Sequence, residues 1–95
     1  MFRDEYHPQV KKDLKKLDRP VLAEVKEVHI LRILADPHCG EELAGDLAGI
    51  YSYHFNKNKV QYRISYIVEE IGEIIFILMI GKREAFYRVL KRRLM

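Results

Sequence analysis

Residues 74–80 read IIFILMI, seven apolar side chains with no polar break. This run constrains the fold more than any other feature. Side chains alternate between the two faces of a strand, so a strand with no polar face has to lie inside a sheet that is covered on both sides. At seven residues the run falls far short of the ~18 needed to cross a bilayer as a helix. The chain must therefore supply strand neighbours and two separate apolar covers. Upstream, IYSYHFN (50–56) alternates Tyr51, Tyr53 and Phe55 with Ser52 and His54. VQYRISYIV (60–68) places Tyr62, Ile64, Tyr66 and Val68 on one face, with Gln61, Arg63 and Ser65 on the other. The intervening NKNK is a turn whose asparagines tolerate positive φ, and EEIGE turns again around Gly72. The strand pattern thus predicts a meander of antiparallel strands. One of its faces is apolar and the other carries Ser52, His54, Gln61, Arg63 and Ser65.

The rest of the chain supplies the covers. FRDEYH (2–7) reads as a short strand. Pro8 suits a helix start, and Val10, Leu14 and Leu17 follow at i, i+4, i+7 as one apolar stripe. Asp18 with Pro20 marks a second helix start, whose apolar period through Val21, Val25, Val28 and Ile33 stops at Pro37. Residues 38–49 contain three of the five glycines and read as a loop. The segment 83–94 forms a last helix with Phe86, Val89, Leu90 and Leu94 on one side. The order β-α-α-β-β-β, with a C-terminal helix, is an α+β layer fold: an antiparallel sheet with a helical hairpin on one face. Ninety-five residues form a single domain, 1–95.

Charge is unevenly placed. Residues 1–49 carry eight Lys/Arg against ten Asp/Glu, whereas residues 50–95 carry nine against four, so the C-terminal half has net +5. That asymmetry points to an anionic partner for the second half, or to a solvated surface. The single Cys39 excludes an internal disulfide framework and fits a reducing compartment. No export signal is visible, so a cytoplasmic protein is expected. His38, Cys39 and Glu41 lack a second His/Cys pair at zinc spacing, so neither metal nor cofactor is expected. His7 and His29 have no partner visible in the sequence.

Four segments, YHPQVKKDLKKL, LAGDLAGIYSYHF, YRISYIV and IIFILMIGKREAFY, resemble in order and spacing the RelE/ParE superfamily of toxins from type II toxin–antitoxin pairs. The resemblance runs from about Tyr6 to Tyr87. It implies the same β-α-α-β-β-β fold and a ribosome-dependent messenger RNA endonuclease acting in the A site. In the ParE branch it implies a DNA gyrase inhibitor instead, and a third reading is an inactive homologue that works only as a binding module. It further implies a cognate antitoxin, expected to lay an acidic segment over the positive face, and operator DNA bound only by the toxin–antitoxin complex. By the same resemblance Arg63 falls at the YR pair, and Arg83 at the arginine of GxR. Tyr87 falls where RelE-type nucleases place a tyrosine near the scissile phosphate, and His54 at a position often filled by a basic side chain. The best-known RelE pattern has lysines on that strand. Ser52 and His54 stand there in this chain, with Lys57 and Lys59 in the following turn.

Cleavage through the 2′-hydroxyl needs a base, cations for the charge developing at phosphorus, and an acid for the leaving oxygen. Arg63 and Arg83 suit the second task because a guanidinium fork grips phosphate oxygens and stays charged. The bland alternatives are a cross-strand ion pair for Arg63 and a solvated strand end for Arg83. His54, whose free imidazole titrates at about 6.5, can act as base or acid, or be an ordinary exposed histidine. Tyr87 can join proton transfer, stack on an unstacked base, or anchor the last helix. Lys57, Lys59, Lys82, Arg88, Lys91 and Arg92 are candidate contacts to the RNA backbone, which would make binding salt-dependent. A solvated terminal helix is the rival reading for the last three. Which group is the base stays open.

Overall fold

The computed structural model describes residues 1–95. Five strands, β1 (Arg3–Tyr6), β2 (Glu41–Glu42), β3 (Tyr51–Lys57), β4 (Val60–Glu69) and β5 (Ile74–Lys82), form one sheet in the order β1-β5-β4-β3-β2. Helices α1 (Val10–Lys15), α2 (Arg19–Glu24) and α3 (Ile30–Ala35) precede the meander, and α4 (Phe86–Leu94) follows it. The antiparallel expectation holds for β3 to β5; β2, in the segment expected to be a loop, adds a short antiparallel strand beside β3, and β1 joins β5 in parallel, Arg3 opposite Ile74. Parallel pairing needs a long crossover, and the helices with the two middle meander strands provide it.

Asp18 precedes α2 in an extended conformation and Pro20 sits in its first turn, as the start signal requires, although the Asp18 side chain makes no capping bond. A π-helical stretch, Val25–His29, joins α2 to α3 and turns His29 and Ile30 inward together. The π turn alters the expected period: Val28 leaves the buried face and His29 enters it. Val10, Val21, Val25, Ile30, Ile33 and Leu34 then pack on the sheet face formed by Tyr53, Phe55, Tyr62, Ile64, Tyr66, Ile75, Ile77 and Ile80. Fully burying one such aliphatic side chain is worth ~1.5–3 kcal/mol. A second, smaller core lies on the opposite face: Leu47, Ile50, Leu78, Met79, Phe86 and Leu90. β5 is therefore covered on both sides, as IIFILMI demands.

One irregularity decides which residues meet. β4 residues Ser65 and Tyr66 pair with Met79 and Ile77, leaving Leu78 as the extra residue of a β-bulge. Ile75 and Ile77 face the helices, Leu78 and Met79 both face the second core, and Ile80 faces the helices again. The bulge reverses the phase of everything after it. The loop before β3 is tied down by Tyr66, whose buried hydroxyl donates to the Pro37 carbonyl (2.8 Å) and accepts from the Gly40 N–H (3.1 Å).

The last helix is fastened by a pair the sequence reading did not anticipate. Arg93 donates two hydrogen bonds to the Asp13 carboxylate, 2.7 Å and 2.8 Å, and one to the Leu78 carbonyl at 2.8 Å. Asp13 also accepts from the Ile80 N–H at 3.0 Å. Both side chains are 8% exposed. The buried stripe of α4 is therefore Phe86, Leu90 and Arg93 at i, i+4, i+7, whereas Leu94 is largely exposed.

Candidate nucleic-acid interface

Strand alternation turns Ser52 and His54 of β3, and Gln61, Arg63 and Ser65 of β4, to the face opposite the helical layer. The β3–β4 register sets His54 directly across from Arg63, and Ser52 across from Ser65. On its other side Arg63 lies opposite Gly81 of β5. A Cβ there would meet the Phe86 ring at 3.9 Å. Because the bulge reversed the phase, Gly81 and, by alternation, Arg83 both lie on this face. The Arg83 backbone N–H donates to the Gln61 carbonyl (2.9 Å), extending the ladder, and its Nη1 donates to Gln61 Oε1 at 3.3 Å.

The two arginines share one open cleft of about 630 Å³, with Lys59 and Lys82 on its walls and Glu84 its one carboxylate. None of these four cations is in a salt bridge. The cross-strand ion pair that Arg63 could have made with a glutamate is absent. Next to the cleft, a smaller depression of about 210 Å³ is bordered by His54, Asn56, Gln61 and Arg63.

The chain leaves β5 through Ala85, which takes a left-handed conformation at φ 58°, and enters α4. This turn swings Tyr87 back over the strand face. The Arg63 guanidinium carbon lies 4.8 Å from the Tyr87 ring centroid, a cation–π contact. The Tyr87 hydroxyl donates to Ser52 Oγ at 3.1 Å and lies 3.5 Å from His54 Nε2, which is itself 3.0 Å from Ser52 Oγ. Desolvation, then the Arg63 charge, pushes the His54 pKa below its ordinary value, and Glu41 opposes them weakly. The imidazole is therefore neutral at pH 7, able to accept a proton.

Arg63, Arg83, Tyr87, His54, Lys59 and Lys82 are thus brought to one region. Lys57 is not: alternation carries it to the helix face, where Nζ lies 3.1 Å from Glu24. Lys91 is held 3.3 Å from Asp46, away from the cleft. Arg88 and Arg92 are exposed on α4 and make no salt bridge. Two contributors were missed. Gln61 braces Arg83, and buried Ser52 touches both Tyr87 and His54; their shared strand face with Arg63 was the available signal. His29, which had no visible partner, is buried between Glu24 and the Tyr53 hydroxyl, each at 2.7 Å, and stacks on Phe55. His7 accepts the Gln9 N–H at 3.1 Å, and His38 lies 3.1 Å from both the Tyr51 hydroxyl and Glu70.

Residues 5–91 match the family model described as the ParE-like toxin of type II bacterial toxin–antitoxin systems. The chain belongs to this toxin family. The toxin is also similar to solved RelE structures. Against the toxin–antitoxin complex RelBE2 of Mycobacterium tuberculosis it is 25% identical with a TM-score of 0.77, covering 86% of this chain and 98% of that one. Against a double arginine-to-alanine mutant of E. coli RelE in the free state it is 20% identical with a TM-score of 0.75, over 99% and 98% of the two chains. The intact E. coli RelBE complex gives 19% identity and a TM-score of 0.72, over 88% and 99%. No curated protein matches the toxin by sequence. No helix is long and apolar enough to cross a membrane.

Proposed function

We propose that this toxin cuts messenger RNA in the ribosomal A site, with Arg63 and Arg83 gripping the scissile phosphate. The observation that carries the reading is their shared cleft, in which neither arginine is salt-bridged to a carboxylate, with Tyr87 packed against Arg63 and neutral His54 across from it. Fixed cations aimed at developing charge commonly supply the largest share of catalysis. A phosphate bridging the two guanidinium groups would set its 2′-hydroxyl side toward Tyr87 and His54, the groups suited to proton transfer. Lys59 and Lys82 would hold the flanking backbone, with Arg88 and Arg92 reaching ribosomal RNA, so that binding weakens as salt rises.

The solved complexes of similar toxins with their antitoxins support a cognate antitoxin as partner, and the reading places the pair in the cytoplasm, where the ribosomes are. An acidic segment over the cleft would block RNA by occupying the same cations, and operator DNA would be bound only by the complex. Single-turnover cleavage on programmed ribosomes tests the reading. Wild type cuts, whereas Arg63→Ala and Arg83→Ala each lose ~10²–10³ in rate with unchanged circular dichroism. Intact messenger with wild type, or normal cutting by both variants, would sink it.

The ParE-like family description favours a second reading, inhibition of DNA gyrase by binding. A supercoiling assay separates the two, since only gyrase inhibition predicts loss of supercoiling. A chain that is harmless on expression and inert in both assays would be a binding module working through its antitoxin.

A further inference from the structure

The side chain at the centre of the cluster is neither an arginine nor a histidine. Ser52 is 2% exposed, yet its hydroxyl contacts both of the groups suited to proton transfer. A serine hydroxyl has one proton to give and two lone pairs to accept with. The Tyr87 hydroxyl donates to Ser52 Oγ at 3.1 Å, and its other near neighbour is His54 Nε2 at 3.5 Å. One arrangement gives both hydroxyl protons good acceptors within the cluster. Tyr87 donates to Ser52, Ser52 donates to His54 Nε2 at 3.0 Å, and the histidine proton resides on Nδ1. The charged and titratable groups around the histidine are Arg63 from β4, Glu41 from β2 and Tyr87 from α4.

We infer that Ser52 is a proton relay joining Tyr87 to His54, so that the base of this site is His54 acting through two hydroxyls. The inference rests on the nuclease reading above. As the 2′-oxygen bonds to phosphorus, its proton passes to Tyr87 Oη. Tyr87 gives its own proton to Ser52 Oγ, and Ser52 gives its own to His54 Nε2. The bond from phosphorus to the 5′-oxygen breaks, and that oxygen takes a proton from solvent. The imidazolium later returns its proton to solvent, which restores the starting state. Arg63, 4.8 Å from the Tyr87 ring centroid, stabilises negative charge that develops on the phenol oxygen during the transfer. This relay offers one account of how a strand bearing Ser52 and His54 can do the work of one bearing lysines.

The test pairs kinetics with a measurement that needs no RNA cleavage. On programmed ribosomes, wild type shows a rate that falls as His54 protonates at acid pH. Ser52→Ala and Tyr87→Phe each lose ~10²–10³ in rate, within the range typical of positioned acid–base groups, and lose that acid limb. The double variant is no slower than either single one, while Ser52→Thr, which keeps a hydroxyl, retains activity and the limb. Long-range ¹H–¹⁵N NMR of the free toxin reads the tautomer of His54 directly. Nδ1–H is expected in wild type, with a shift toward Nε2–H and an altered titration in Ser52→Ala. Wild type holding Nε2–H, or Ser52→Ala cutting within twofold of wild type with an unchanged pH profile, overturns the relay. If no form cuts RNA, the nuclease reading falls by itself, and the tautomer result still decides whether Ser52 couples the two groups.

Discussion

Replacing Arg93 by methionine keeps the aliphatic stem and removes the charge, leaving the Asp13 carboxylate 8% exposed with one of its three donors, the Ile80 N–H. Breaking a buried pair on one side costs ~3–5 kcal/mol, because the remaining charge is stranded away from water. Total stabilities of such domains are about 5–15 kcal/mol, so this is a large share. With ~4–8 °C lost per kcal/mol in a domain of this size, the melting temperature should fall by at least about 12 °C. Urea unfolding followed by far-UV circular dichroism measures the loss, with a shifted midpoint and an unchanged slope. A double variant, Asp13→Leu with Arg93→Met, discriminates further. It strands no charge, and its main penalty is the Ile80 N–H left without an acceptor, ~1–3 kcal/mol. The double variant should therefore be more stable than Arg93→Met alone. A loss under about 1 kcal/mol for Arg93→Met, or a double variant that costs the sum of two singles, would refute the view that Arg93 fastens α4 through Asp13.

Three further outcomes are expected. A Cβ added at Gly40 would lie 2.6 Å from the Tyr66 hydroxyl, so Gly40→Ala should cost about 1–3 kcal/mol and increase amide exchange in residues 37–42. Tyr53→Phe strips His29 Nδ1 of its 2.7 Å partner in the core and should lower stability by ~1–3 kcal/mol, read from the urea midpoint. His54 has its folded-state pKa below the ordinary value, so protonation disfavours the folded state. Its contribution is present above about pH 6.5 and is lost as pH falls through the depressed value. His54→Gln should therefore lose less stability than wild type between pH 7 and pH 5.

Much of the fold was legible because alternation and helical period are local signals. IIFILMI required two covered faces, and Tyr53, Phe55, Tyr62, Ile64 and Tyr66 went to the side the pattern assigned them. Part of the candidate site's geometry was legible to the same depth: Arg63, His54 and Gln61 share a strand face by parity alone. What could not be read depended on partners distant in the chain. Asp13 and Arg93 are separated by 80 residues, and each taken singly looks like one more surface charge. Lys57 had the right chemistry but the wrong parity, and Glu24 was there to hold it. The parallel entry of β1 and the π turn at Val25–His29 are settled by packing, for which no short motif exists.

The extra residue at Leu78 has a consequence for how this chain tolerates change. If β5 were regular, Gly81 and Arg83 would fall in phase with Ile75 and Ile77, pointing into the helical core and not toward Arg63. Deleting Leu78, the extra residue, would leave a regular strand with Ile80 still toward the helices and Gly81 still beside Arg63, whereas straightening the strand at its present length would transfer its distal end to the wrong surface. The wall of the cleft is encoded by a count of residues as much as by their kind. Losing Leu78 should therefore cost packing in the second core yet keep the site in phase, whereas flattening the bulge without removing a residue should abolish the site.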